Sequence, residues 1–100
     1  MSRYQKIFDC CKQQKRIAFI PFVMLGDPNL DLSLKIISQL IESGADALEL
    51  GIPFSDPVAD GPVIQASAGR ALQNGVTPES ALGLIKSVRE INSDIPIGLL

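Results

Sequence analysis

The chain has 100 residues, 46% of them hydrophobic, with 9 basic and 11 acidic side chains for a net charge of −2, and it contains neither His nor Trp. Its longest apolar run, residues 17–25, is interrupted by Pro21 and falls far short of the ~20 residues that span a bilayer, so a transmembrane segment is excluded. Without His, neither a Ser-His-Asp triad nor a His-bearing zinc site can be assembled from these residues, and acid and base work falls to carboxylates, Lys, Tyr or Cys.

The opening MSRYQKIFDCCKQQKR scatters charge among its apolar positions, unlike the unbroken apolar centre of a signal peptide, which argues against export and for a cytoplasmic protein. Tyr4, Ile7, Phe8 and Cys11 recur at helical spacing and predict a short amphipathic helix. Cys10 and Cys11 are adjacent, poor geometry for a disulfide and no metal-ligand spacing, so both read as reduced thiols. The basic group Lys12, Lys15 and Arg16 has no interleaved aromatics for nucleic acid and fits the C-terminal end of that helix, where cations suit the macrodipole.

Residues 17–23 form a compact β-rich run, predicted as the first strand with Pro21 near its end or at an edge. Asp27-Pro28 reads as an N-cap followed by Pro at the first helical position, and Leu30, Leu34, Ile37 and Ile41 make one apolar face as far as the stop at Gly44. Residues 47–51 predict a second strand with Leu48 and Leu50 on one face and Ala47, Glu49 and Gly51 on the other. The stretch IPFSDPVADGP is too rich in Pro and Gly for regular structure and reads as an ordered loop. A helix from Pro62 is expected to end near Asn74-Gly75. Thr77-Pro78-Glu79 opens another with the face Ala81, Ile85 and Val88, and residues 95–100 read as a third strand.

Strands alternating with helices predict a parallel β/α architecture, and no repeat, low-complexity tract or linker divides residues 1–100. The predicted strand starts are about 30 and about 48 residues apart against a minimal βαβ unit of roughly 30, so the second connection carries an insertion on the C-terminal side of the sheet, where such folds place ligands. An apolar ending, IPIGLL, and three strands with open edges predict a fragment: about the first three strands of an α/β, parallel (β/α)8 TIM barrel.

Carboxylates are the chemical candidates left by elimination. Glu49 stands in an otherwise apolar or small-residue strand immediately before the rigid loop, and Asp56 and Asp60 follow within that loop. A carboxylate at a partly desolvated strand end can exchange protons near neutral pH, and two carboxylates in different environments can divide acid and base duties. The plainer alternatives are a solvated or salt-bridged Glu49, a helix-capping Asp60 and an Asx turn at Asp56-Pro57. Phe22 and Leu100 read first as core. Ser55 and Ser67 lack a base partner, Arg70 fits a solvated face or a partner contact, and no Gly-rich phosphate nest is present.

The run LELGIPFSDPVADGPVIQASAGRAL, residues 48–72, resembles the signature segment of the tryptophan synthase alpha subunit family, and FIPFVMLGDPNLDLSL and IPIGLL resemble that family's first and third strands. The resemblance implies an enzyme, a lyase of tryptophan biosynthesis that cleaves indole-3-glycerol phosphate by a retro-aldol reaction. It implies Glu49 as general acid and base, Asp60 as the carboxylate on the indole N–H, and Phe22 and Leu100 as walls of the indole pocket. It also implies Pro53, Asp56 and Pro57 as a loop facing the beta subunit of an alpha2beta2 heterotetramer. Pyridoxal phosphate would belong to that partner, with no cofactor or metal in this chain, and the phosphate-binding residues would lie on later strands. The competing reading is a non-catalytic module that uses the loop only to dock on and activate another subunit.

Overall fold

The computed structural model describes residues 2–53 and 61–100. Its elements in chain order are α1 (Arg3–Gln13), β1 (Phe22–Met24), α2 (Leu30–Glu42), β2 (Leu48–Gly51), α3 (Pro62–Gln73), α4 (Pro78–Ile91) and β3 (Ile97–Leu99). The three strands form one parallel sheet in the order β1-β2-β3, with Phe22 opposite Glu49 and Glu49 opposite Gly98.

Period-two alternation gives this sheet two unlike faces. Val23, Leu48 and Leu50 point to the helices and join Leu25, Ile37, Ala71, Val76, Ala81, Leu84, Val88 and Ile95 in one buried core. Phe22, Glu49 and Gly98 share the opposite, inner face, and Met24 and Gly51 follow two residues on. The inner face is built from small residues where space is needed. A Cβ at Gly51 would lie 2.7 Å from the tip of the Phe22 ring, and one at Gly98 would lie 3.1 Å from the Tyr4 hydroxyl.

The first strand begins later than its apolar run predicts. Pro21 has no N–H for a ladder, so residues 17–21 run in irregular form beside β2 and the residues before it, accepting from the Asp46 N–H at Phe19 O, 2.8 Å, and from the Glu49 N–H at Pro21 O, 3.0 Å. Helix α2 is capped not by Asp27 but by Asn29, whose side chain accepts from the Leu32 N–H at 2.9 Å. Its stop is as expected: Gly44, at φ +102°, takes the left-handed position after the C-cap. In α4, Thr77 and Ser80 form a capping box, and Leu84 joins Ala81 and Val88 among the buried side chains while Ile85 packs at the margin. Cys10 and Cys11 are both free thiols, and Cys11 is buried.

Arg16 does more than complement a helix end. Its guanidinium meets the buried Asp46 carboxylate through two hydrogen bonds of 2.8 Å, and Asp46 also accepts from the Phe19 N–H at 2.7 Å. This three-donor cage, the Arg16 hydrogen bond foremost, holds the Asp46 carboxyl down at about 2. A depressed folded-state value means that the contribution is complete above the ordinary carboxylate range and is lost as pH falls through about 4 to about 2. Asp46→Ala is therefore expected to cost ~1 kcal/mol or somewhat more at pH 7, since it takes the acceptor from the part-buried Phe19 N–H and from the Arg16 guanidinium. Urea unfolding should find that deficit shrinking near pH 2; an equal deficit at both pH values would contradict the ion-pair account.

Candidate functional site

The inner face gathers three of the residues singled out in the sequence. Phe22 opens β1 and sits directly opposite Glu49, at the ~4.8 Å spacing of paired strands. The Leu100 N–H donates to Leu50 O at 3.0 Å and its carbonyl accepts from Ile52 N–H at 3.0 Å, which continues the β2-β3 register and sets Leu100 beside Gly51 on that same face. Phe22 and Leu100 are 37% and 66% exposed, so neither is a core residue in this chain; both offer apolar surface on the side that carries Glu49.

Glu49 is half-buried, and its carboxylate has no hydrogen-bond or ion-pair partner among the described residues. The other carboxylates fixed near the sheet are committed: Asp46 to Arg16 and Phe19, and Asp27 to Arg70 and Ser67. This contrast separates a structural carboxylate from one available for chemistry. A carboxylate on a face of Gly, Phe and Leu, with no cation against it among the described residues, can bind, donate or accept a proton from whatever enters.

Arg70 is not simply a solvated side chain. Its Nε and Nη2 donate to Asp27 Oδ1 and Oδ2, each at 2.9 Å, and Ser67 Oγ donates to Asp27 Oδ2 as well. The Arg70 hydrogen bond keeps the Asp27 carboxyl below the usual carboxylate range. Asp27, Ser67 and Arg70 form the polar end of a cavity of about 360 Å³ along the free edge of β1, whose apolar wall includes Phe22 and Met24. Sequence reasoning passed over this cluster because Asp27 and Arg70 are 43 positions apart, and an Asp-Pro pair is equally well read as a helix start.

Asp56, Pro57 and Asp60 lie outside the described residues. Helix α3 begins at Pro62 with Gly61 as its N-cap residue. Pro53 is buried.

A family model described as tryptophan synthase alpha chain matches residues 8–100. The chain belongs to the tryptophan synthase alpha chain family. It is 57% identical over all 100 residues to the tryptophan synthase alpha chain of Serratia proteamaculans, spanning 37% of that relative's length. The crystal structure of tryptophan synthase subunit alpha from Legionella pneumophila superposes on 99% of the chain with a TM-score of 0.91 at 38% identity, the match taking in 38% of that chain. The aminoacrylate-bound tryptophan synthase from Mycobacterium tuberculosis matches 99% of the chain with a TM-score of 0.88 at 31% identity, over 40% of its own chain. The three parallel strands and their helices are thus the opening strands of the family's α/β barrel, and the inner face of the sheet is the side that a closed barrel turns inward.

Proposed function

We propose that the complete protein is the alpha subunit of tryptophan synthase, a lyase that cleaves indole-3-glycerol phosphate to indole and glyceraldehyde 3-phosphate. The observation that carries this reading is Glu49: a half-buried carboxylate without a partner among the described residues, opposite Phe22 on the small-residue face, in a chain of this family. A family of named synthase subunits favours catalysis over a module that only docks.

The chemistry asks for one group that gives and takes a proton and one that stays charged. Indole is a poor leaving carbanion until its C3 carries a proton. Glu49, protonated, donates to C3, and the ring becomes an iminium with its positive charge on nitrogen. The Glu49 carboxylate then takes the proton of the hydroxyl on the adjoining glycerol carbon. As that oxygen forms the aldehyde, the carbon–carbon pair flows back into the ring and neutralises the iminium. Asp60, ionised and hydrogen-bonded to the indole N–H, stabilises the ring charge between these events. Phe22 and Leu100 supply apolar surface for the heterocycle and exclude water from the proton transfer. Because the protonated ring is its own electron sink, the step asks for no cofactor in this chain.

The segment Pro53, Asp56 and Pro57 is assigned to contact with the beta subunit in a cytoplasmic alpha2beta2 assembly, where pyridoxal phosphate belongs to the beta partner. The test is direct: the complete protein, alone and with that partner, is incubated with indole-3-glycerol phosphate, and indole and glyceraldehyde 3-phosphate are measured. Equimolar release of both products is expected. Absence of cleavage in both settings, with the protein folded, would overturn the proposal in favour of the docking module.

A further inference from the structure

Two side chains of β1 end at one spot on β2. Phe22 and Met24 alternate with Val23, so both stand on the inner face, and Met24 lies opposite Gly51 in the parallel register. A Cβ at Gly51 would lie 2.7 Å from the Phe22 ring tip and 3.1 Å from both Sδ and Cε of Met24. The Phe22 ring therefore leans from the level of Glu49 to the level of Gly51, where the end of Met24 meets it. Met24 is only 5% exposed, yet it has no part in the core that Val23, Leu48 and Leu50 join behind the sheet. Its burial belongs to the inner face, against Gly51 and beside Phe22.

Phe22 is the surface that a ligand on this face meets, and Met24 is its backing. The missing side chain at Gly51 is what lets both lie close to the sheet. A methyl there would force the ring tip and the thioether away from β2, because a packed interior has no slack to absorb a contact of 2.7 Å. Loss of the Met24 side chain does the reverse: it leaves a hole behind an aromatic ring, and the surroundings of such a hole relax partly into it. Gly51 and Met24 thus bracket the reach of the Phe22 ring without a ligand having to touch either. Leu100 stands beside Gly51 on the next strand, so the room between the two apolar walls is set from beneath, at Gly51.

We propose that Gly51 and Met24 determine the specificity of this site: they fix how far the Phe22 ring stands into the apolar pocket, and so favour the bare bicyclic ring of indole-3-glycerol phosphate over rings that carry a further substituent on the benzene edge. This deepens the lyase reading and rests on it. One methyl more or less in a close-fitting apolar pocket is discriminated by about 10- to 200-fold, which is the margin that a displaced Phe22 ring alters.

The experiment uses the complete protein in its assembled form and compares kcat/KM for indole-3-glycerol phosphate with kcat/KM for four analogues, each with one methyl on a different carbon of the benzene edge. The parent is expected to reject at least one analogue by about 10-fold or more. Met24→Ala is expected to raise the analogue-to-natural ratio for that compound about 10-fold, whereas Met24→Leu, which keeps the volume, holds it within about threefold of the parent. Gly51→Ala drives Phe22 the other way and is expected to lower the ratio; if it fails to fold, the two Met24 variants decide. Both rates of a ratio come from one preparation, so a variant that is merely less stable loses turnover on every substrate alike and keeps the parent's ratio. A parent that accepts all four analogues within about twofold, or a Met24→Ala ratio within about twofold of the parent's, would overturn the inference alone. A folded parent that does not cleave indole-3-glycerol phosphate overturns the lyase reading and this inference together.

Discussion

Glu49→Gln in the complete protein is expected to lower the cleavage rate of indole-3-glycerol phosphate by about 10²- to 10⁴-fold, equivalent to roughly 3 to 5 kcal/mol of barrier. Glutamine matches glutamate in size and remains on the inner face opposite Phe22, so the fold and the apolar walls are left as they are. What disappears is the ability to deliver a proton to indole C3 and to remove one from the adjoining hydroxyl. The loss should therefore fall on kcat, with KM little changed, because ground-state contacts survive and only the transition state suffers. Steady-state kinetics on the assembled protein give both values. Near-normal turnover would remove Glu49 from the proton-transfer role, whatever its place in the sheet.

Asp60→Asn is expected to cost about 10²-fold in turnover for a different reason. Asparagine can still accept a hydrogen bond from the indole N–H, so binding of the neutral heterocycle persists. The charge does not. When C3 is protonated the ring nitrogen becomes cationic, and a neutral amide offers it far less than a carboxylate in a site shielded from water. The effect should thus be concentrated in kcat, and a reaction that bypasses C3 protonation would be untouched. An unchanged rate would leave Asp60 with no part in catalysis.

Much of the fold was legible because its punctuation is local. Thr77-Pro78, Gly44 and Asn74-Gly75 mark helix ends by mechanisms that involve only neighbouring residues, and the structure keeps them. The start of β1 was misread because the apolar run from Ile17 carries a strand signal that Pro21 cancels only once the ladder partner on β2 is known. Asp27 shows the limit most plainly. Followed by Pro28, it has the signature of a helix cap, yet its carboxylate is taken by Arg70 and Ser67 from another helix, and Asn29 caps instead.

The candidate site divides in the same way. That Glu49 belongs to the small-residue face follows from alternation within one strand. That Phe22 and Leu100 share this face depends on the register of three strands, which no single segment encodes. That Glu49 has no partner among the described residues depends on where the cations go, and Arg16 and Arg70 are both drawn to aspartates tens of residues away. Charge pairing of that kind is a product of the tertiary fold, so the sequence could nominate three carboxylates without ranking them by availability.

The central claim is that Glu49 faces the indole ring across a pocket walled by Phe22 and Leu100. It is tested most directly by a crystal structure of the complete protein with indole-propanol phosphate, which retains the ring and phosphate but cannot be cleaved. The ring is expected to lie against Phe22 and Leu100 with a Glu49 carboxylate oxygen about 2.6–3.2 Å from the site of proton transfer, or one water away. A ring bound elsewhere, or a Glu49 carboxylate out of reach of it with no bridging water, would contradict the assignment.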